Sequence, residues 1–363
     1  MMNESDRNLL ILPRVRSRIT ITDVARICGV TPATVSRVLN GKKKFSTSDA
    51  VRQKILETAQ KLGYVPDLSA RNLNRRATRI IGLFASPQTH VAEGINESLL
   101  EGIAEDLHAG GYDVFFELGS SMLKEPLPSW RFDGAILMQQ PRAETVTELD
   151  RRRVPYVCVN ERVGSGVANV LADDVMGMTR AVEHLAQLGH KKIGYANARA
   201  TYFSHYSVTE RYETLLNVAA ARGMRVVEGH DVPFSSATYF LRTVVKERVA
   251  TAVITYDHHI GVMLVGAAPT LGLRIPQDFS LICFNDVFPV SLLPPPLTAV
   301  AVSGREMGRM GADLLLNSLV GPSQIPELAT REIRLPEDLV VRASTAPPPT
   351  LPAVAAAGEV SGN

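Results

Sequence analysis

Residues 19–45 read ITITDVARICGVTPATVSRVLNGKKKF, and these side chains suit recognition of a polyanion better than turnover of a substrate. Arg37 carries a fork of donors that fits O6 and N7 of guanine, the commonest base-specific contact in the major groove. Pro32 and Ala33 are small enough to let a backbone approach base edges and thymine methyls. Thr20, Thr22, Thr31, Thr34 and Ser36 offer hydroxyls for phosphate oxygens, contacts that set position rather than sequence preference. Lys42, Lys43 and Lys44 add salt-dependent attraction. Elsewhere the chain offers little catalytic chemistry. The GSG at 164–166 lacks the third glycine and the helix of a phosphate cradle. Cys28, Cys158 and Cys283 are far apart and odd in number, which suits neither a disulfide framework nor a zinc cluster. His258 and His259 are adjacent, so helical spacing does not put both rings on one face to hold a metal. Ser, His and Asp occur without a nucleophile-elbow motif, and His184 and His190 read as structural. No catalytic residue, metal or cofactor is expected, and the chain does not read as an enzyme.

The elements that must position these side chains follow from caps and periodicity. Thr22 can cap a helix running to Cys28, with Asp23 in its first turn where negative charge suits the dipole. Gly29 permits a tight turn. Thr31 then caps a second helix with Pro32 at its first position, where the missing N–H costs nothing. Val24, Ala25, Ile27, Val30, Val35, Val38 and Leu39 form the apolar face, leaving Pro32, Ala33, Ser36, Arg37 and Asn40 outside. That is the layout of a helix-turn-helix, whose second helix enters the major groove by its N-terminal residues. A third helix, about Asp49 to Leu62, closes the bundle before Gly63. On periodicity alone, an ordinary helical hairpin remains the alternative.

The whole chain has 363 residues, 45% hydrophobic and 21% charged, enough for two or three domains with real cores. No apolar run reaches the roughly 18–20 residues that cross a bilayer, and the N-terminus has no signal-peptide pattern; a cytoplasmic protein is expected. The net charge of +2 hides an asymmetry. Residues 1–79 hold 16 Lys/Arg against 6 Asp/Glu, a balance of +10, and the remainder balances at −8. A basic head on an acidic body places any polyanion contact in the head. The expected organisation is a flexible extension over 1–17, a helix-turn-helix domain over 18–65, a linker over 66–78, an α/β body over 79–343 and a disordered Pro/Ala-rich tail over 344–363. In the body, strand candidates at Ile80–Phe84, Tyr112–Leu118, Gly134–Met138, Val154–Asn160, Lys192–Ala196, Ala252–Tyr256 and Ser280–Phe284 alternate with amphipathic stretches such as Met176–Leu188 and Val208–Arg222. That alternation implies parallel sheets, two lobes at this length, and a ligand at the carboxyl ends of the strands. The tail carries no heptads, so a dimer interface belongs to the body.

DVARICGVTPATVSRVLN, then LGYVP, ARNL, IIGLF, VEHLAQLGHKKIGY, RIPQDFSLICFND and PPPLTAV, in that order, resemble the lactose/galactose-repressor family over roughly residues 19–342. The resemblance implies a small all-α helix-turn-helix headpiece joined to a bilobed α/β, periplasmic-binding-protein-like effector domain. It implies a transcriptional regulator, most often a repressor, that binds a pseudo-palindromic operator in double-stranded DNA as a homodimer, with no membrane partner. A small polar metabolite, a sugar or sugar derivative, would control it. DNA-binding positions are then Thr20, Thr22, Thr31, Pro32, Ala33, Thr34, Ser36, Arg37, Asn40 and Lys44, with Leu73 wedging into the minor groove. Effector-binding positions are Ser86, Arg211, Phe234, Asp257 and Asn285. The stretch from Asn40 to Ile55 is longer than the family pattern, which leaves the start of the third helix open. Asp257, His258 and Asn285 depart from the family's usual residues and shift the cleft carboxylate from one wall to the other. Two rival readings are a regulator controlled by a partner protein, and a ligand-binding protein or enzyme with an incidental basic head.

Overall fold

The computed structural model describes residues 19–39, 47–64, 77–85, 94–118, 132–138, 141–197, 205–228, 236–247, 249–320 and 331–349. The extension over 1–17, Asn40, Lys44, Leu73, Ser86, Phe234 and residues 350–363 lie outside the described residues, as does all of the linker except 77 and 78. The chain divides into two units, Met1–Thr78 and Arg79–Asn363.

The first unit contains α1 (Ile21–Cys28), α2 (Pro32–Leu39) and α3 (Asp49–Leu62). Its core is Val24, Ala25, Cys28, Val35, Val38, Ile55 and Ala59. The cap of α1 is Thr20 rather than the expected Thr22. Asp23 N donates to Thr20 Oγ1, and Thr20 N and Oγ1 both donate to the Asp23 carboxylate at 3.0 and 2.7 Å. This reciprocal box satisfies donors at both ends of the first turn, so Thr22 falls inside the helix. Ile27, expected in the apolar face, is 47% exposed. At 100° per residue, Val24, Ala25 and Cys28 share one narrow arc and Ile27 lies outside it. The second helix begins as expected, with Thr34 N donating to Thr31 Oγ1 at 3.2 Å. Ser48 caps α3, fixing the start that the sequence left open, and Gly63 ends the helix in the left-handed region at φ 64°.

The second unit has two six-stranded sheets. In chain order it comprises β1 (Ile80–Ala85), α4 (Ile95–Ala109), β2 (Asp113–Leu118), β3 (Gly134–Met138), α5 (Ala143–Arg152), β4 (Tyr156–Val159), β5 (Ala168–Ala172), α6 (Asp174–Gln187), β6 (Lys192–Ala196), α7 (Tyr206–Ala221), β7 (Arg225–Glu228), α8 (Ala237–Phe240, continuing as a wider helical turn over Leu241–Glu247), β8 (Ala252–Thr255), α9 (His258–Ala267), β9 (Ser280–Phe284), β10 (Thr298–Ala301), α10 (Gly304–Val320), β11 (Arg331–Leu335) and β12 (Asp338–Val340). One sheet runs β11-β5-β4-β3-β1-β2 and is parallel throughout. The other runs β12-β10-β9-β8-β6-β7, with only β12 antiparallel. Strands β3, β4, β5, β8 and β9 are buried along their whole length, as near-continuous apolar runs covered on both faces should be.

The chain passes between the lobes three times: from β5 to α6 at Asp173, from β10 to α10 at 302–303, and from β11 to β12 at 336–337. Helix α10 packs on α4 and on β3, β4 and β5 of the first sheet, whereas α6 packs on α7, β10 and β12 of the second lobe. Close approach of α4 and α10 requires glycine: a Cβ at Gly308 would lie 2.2 Å from the Leu99 carbonyl oxygen. The expected disordered tail starts too early. Ser344 is buried, accepts from Thr298 N at 2.8 Å, donates to Leu281 O, and its own carbonyl accepts from Leu281 N. Leaving Ser344 and Ala346 free would strip partners from β9, so they belong to the second lobe.

Candidate functional site

On the first unit, the N-terminal turn of α2 stands clear of the bundle. Pro32, Ala33 and Arg37 are exposed, while Thr34 and Ser36 are half-buried at its flanks. Val35 and Val38 face the core, and this fixes the rotation of the helix. Thr31 is exposed, with its hydroxyl 3.0 Å from that of Thr34. Thr20 and Thr22 are exposed beside it on α1 and its cap. Hydrogen bonds from the Thr20 hydroxyl and backbone hold the Asp23 carboxyl below its usual value, so the cap stays charged. A capped helix end with small and guanidinium side chains facing out presents donors and a positive dipole to DNA.

On the second unit, the neighbouring strands β6, β8 and β9 end together, and the next residues gather at one edge: Asn197, Tyr256 with Asp257, and Asn285. This is the carboxyl edge, where ligands of parallel α/β sheets bind. Asp257 is buried and caps α9, its Oδ1 accepting from Ile260 N at 2.9 Å. Burial opposes its charge, but the His259 ring and the Ile260 N–H outweigh that and hold its carboxyl below the ordinary value. Asn285 takes the left-handed conformation at φ 69°. The adjacent Asp286 is bound on both oxygens by Arg342 at 2.7 Å. Asn197, which the sequence did not single out, is buried, and its Oδ1 has no hydrogen-bond partner among the described residues.

Arg211 lies on α7 with its guanidinium engaged inside the lobe. Nε donates to Asp174 Oδ1 at 2.5 Å and Nη1 to the Tyr256 carbonyl at 2.6 Å. The guanidinium carbon stands 4.0 Å from the Phe284 ring centroid and 4.9 Å from that of Tyr256. Burial works against the charged guanidinium, but Asp174 and its neighbours raise its pKa nonetheless. The first turn of α7 also docks on the other lobe. Tyr206 Oη accepts from Ala172 N at 3.1 Å, and Glu210 binds both Arg162 and Arg334 at 2.8 Å.

A cavity of about 680 Å³ opens between the start of α4 and the start of α9, lined by Glu97, Ser98, His258, His259, Val287 and Phe288 among others. Both histidine rings reach it, 3.9 Å apart by centroid. They are the first two residues of α9. Among the described residues, no group of three or more His, Cys, Asp or Glu is placed to hold a metal. His190 is structural as read: it is buried between Thr251, Ser280 and the Ala346 carbonyl. Among the described residues no helix is long and apolar enough to cross a membrane.

Two units of this kind, a basic helix-turn-helix and a two-lobed α/β body with a polar strand edge, define a DNA-binding regulator that senses a ligand. Residues 20–67 match the family of bacterial regulatory proteins, lacI family, and residues 182–345 match the periplasmic binding protein-like domain. The chain belongs to the LacI family of transcriptional regulators. It is 26% identical to the probable HTH-type transcriptional repressor ExuR of Bacillus subtilis, over 84% of this chain and 92% of that protein. Among solved structures, the complex of the transcriptional regulator CelR with cellobiose is 26% identical, with a TM-score of 0.63, covering 90% of this chain and 100% of that one. The lac repressor dimer bound to operator and the anti-inducer ONPF shares the fold at a TM-score of 0.75 and 23% identity, over 91% of this chain and 99% of that one.

Proposed function

We propose that this regulator is a cytoplasmic repressor that binds a pseudo-palindromic operator as a homodimer and answers to a small polar effector, a sugar or sugar derivative. The observation that carries the reading is the exposed turn Pro32–Arg37, held outward by the burial of Val35 and Val38. One such helix reads only a few base pairs, and a dyad-related pair reads a palindrome one helical turn across. Thr20, Thr22, Thr31, Thr34, Ser36 and Lys44 are assigned to phosphates, Pro32, Ala33, Arg37 and Asn40 to base edges, and Leu73 to the minor groove.

The effector is assigned to the carboxyl ends of the strands in both lobes, with Ser86, which follows β1 of the first sheet, and with Arg211, Phe234, Asp257 and Asn285 of the second lobe, to which Asn197 is added. Cellobiose in the related CelR supports a sugar. The polar edge needs no catalytic group, so the reading is a binding function and not an enzyme. The test is titration of the full chain against a pseudo-palindromic duplex and a random duplex at several salt concentrations. Tight binding with a steep salt slope is expected for the operator. Arg37→Ala should cost about 1–3 kcal/mol on the operator alone. Equal affinity for both duplexes at physiological salt would overturn the specific-regulator reading.

A further inference from the structure

Glu337 sits in the third passage between the lobes, fully buried, and neither carboxyl oxygen has a hydrogen-bond partner among the described residues. It packs against the first turn of α6, in the first passage; a Cβ on Gly177 would lie 1.9 Å from Glu337 Oε2. Only glycine at 177 leaves the Glu337 carboxyl its space. Val300 of β10 borders the same spot. The charged groups facing Glu337 are Asp173 and Asp174 at the start of α6, and Arg211 from α7. Arg211 is already bound to Asp174, whose second oxygen is also without a partner. Arg180 of α6 reaches the Glu337 backbone carbonyl at 2.6 Å and the Asp338 carboxylate, not the Glu337 side chain. Tyr206, at the start of α7, completes the surroundings.

One guanidinium therefore faces two buried carboxyls where the chain passes between the lobes, and it neutralises only Asp174. A buried carboxylate with no donor and a like charge beside it keeps its proton instead. We propose that Glu337 is the proton-carrying residue of the inter-lobe hinge, neutral in this packed arrangement, and that its ionisation loosens the hinge. Burial first, and Asp174 second, push its carboxyl well above the ordinary value. The sign follows. A folded-state pKa above the unfolded one gives stability that is full below the unfolded value, about 4.3, and is lost as pH rises through the folded value. In that window the unfolding constant rises up to tenfold per pH unit. Opening the passages to water has the same linkage, so alkaline conditions favour a looser hinge.

The experiment follows thermal unfolding of the full chain from mildly acidic to mildly alkaline pH, comparing wild type with Glu337→Gln. Gln keeps the shape and cannot ionise, so the variant should lose the alkaline fall in Tm and exceed wild type at the upper end. Parallel pH profiles for the two proteins would overturn the proposal. If Glu337→Gln does not fold, infrared spectroscopy of wild type decides: a neutral, dry carboxylic acid band should be present at neutral pH and bleach as pH rises. Asp174→Asn removes the like charge and releases Arg211 to pair with Glu337, so the band should vanish at neutral pH in that variant. Absence of the band in wild type, or its persistence in Asp174→Asn, would sink the assignment.

Discussion

Arg211 is held from four sides, by Asp174, the Tyr256 carbonyl and two aromatic faces, so its removal acts first on the lobe and only then on any ligand. Arg211→Ala would leave Asp174 buried without its cation, and breaking such a pair costs about 3–5 kcal/mol. Chemical denaturation of the full chain should show that loss in the body transition, while the transition of the headpiece, residues 19–64, stays unchanged. A variant as stable as wild type would show that water or a shifted side chain replaces the guanidinium. Sequence made Arg211 visible by resemblance but hid its partner. Asp174 precedes it by 37 positions on another helix, and no local spacing links the two. Glu337 was equally invisible, because a lone Glu between two short strands looks like a loop residue until burial is known.

The elements were more legible where local chemistry settles the matter. Helix α3 occurs where predicted, because Asp49–Leu62 ends at a glycine able to take positive φ. The strands β3, β6 and β9 match their predicted bounds, β3 and β9 being buried along their whole length. The strands β5, β7, β10, β11 and β12 were not anticipated, being three to five residues long and specified by their sheet neighbours. The cap of α1 was expected at Thr22 and is Thr20, whose Thr-x-x-Asp spacing at 20–23 forms the box. This distinction is measurable. Thr20→Ala should cost the headpiece about 0.5–2 kcal/mol, whereas Thr22→Ala, inside the helix and exposed, should change thermal stability by about 0.5 kcal/mol or less. A larger loss from Thr22→Ala than from Thr20→Ala would return the cap to Thr22.

Across the molecule, charge separates the head from the body as composition foretold, and both lobes were foreseen from strand–helix alternation. What composition could not convey is that each lobe is sewn from distant pieces. The first lobe takes α10 and β11 from residues 304–335, and Met307, Ala312 and Leu315 complete the core around Ile81, Leu99 and Val159. The second lobe takes β12 and the Ser344 anchor from the next few residues. Synthesis runs from the N-terminus, so the headpiece can fold as soon as it leaves the ribosome, whereas neither lobe can finish until the segment beyond Ser303 has been made. During that delay the growing chain holds a competent DNA reader tethered to unfinished sheets with open edges, surfaces that invite pairing between chains. A chain released after Ser303 should accordingly aggregate through its body yet yield a protease-resistant headpiece. If such a product were soluble and resistant over residues 79–303, the first lobe would not need its late-arriving helix.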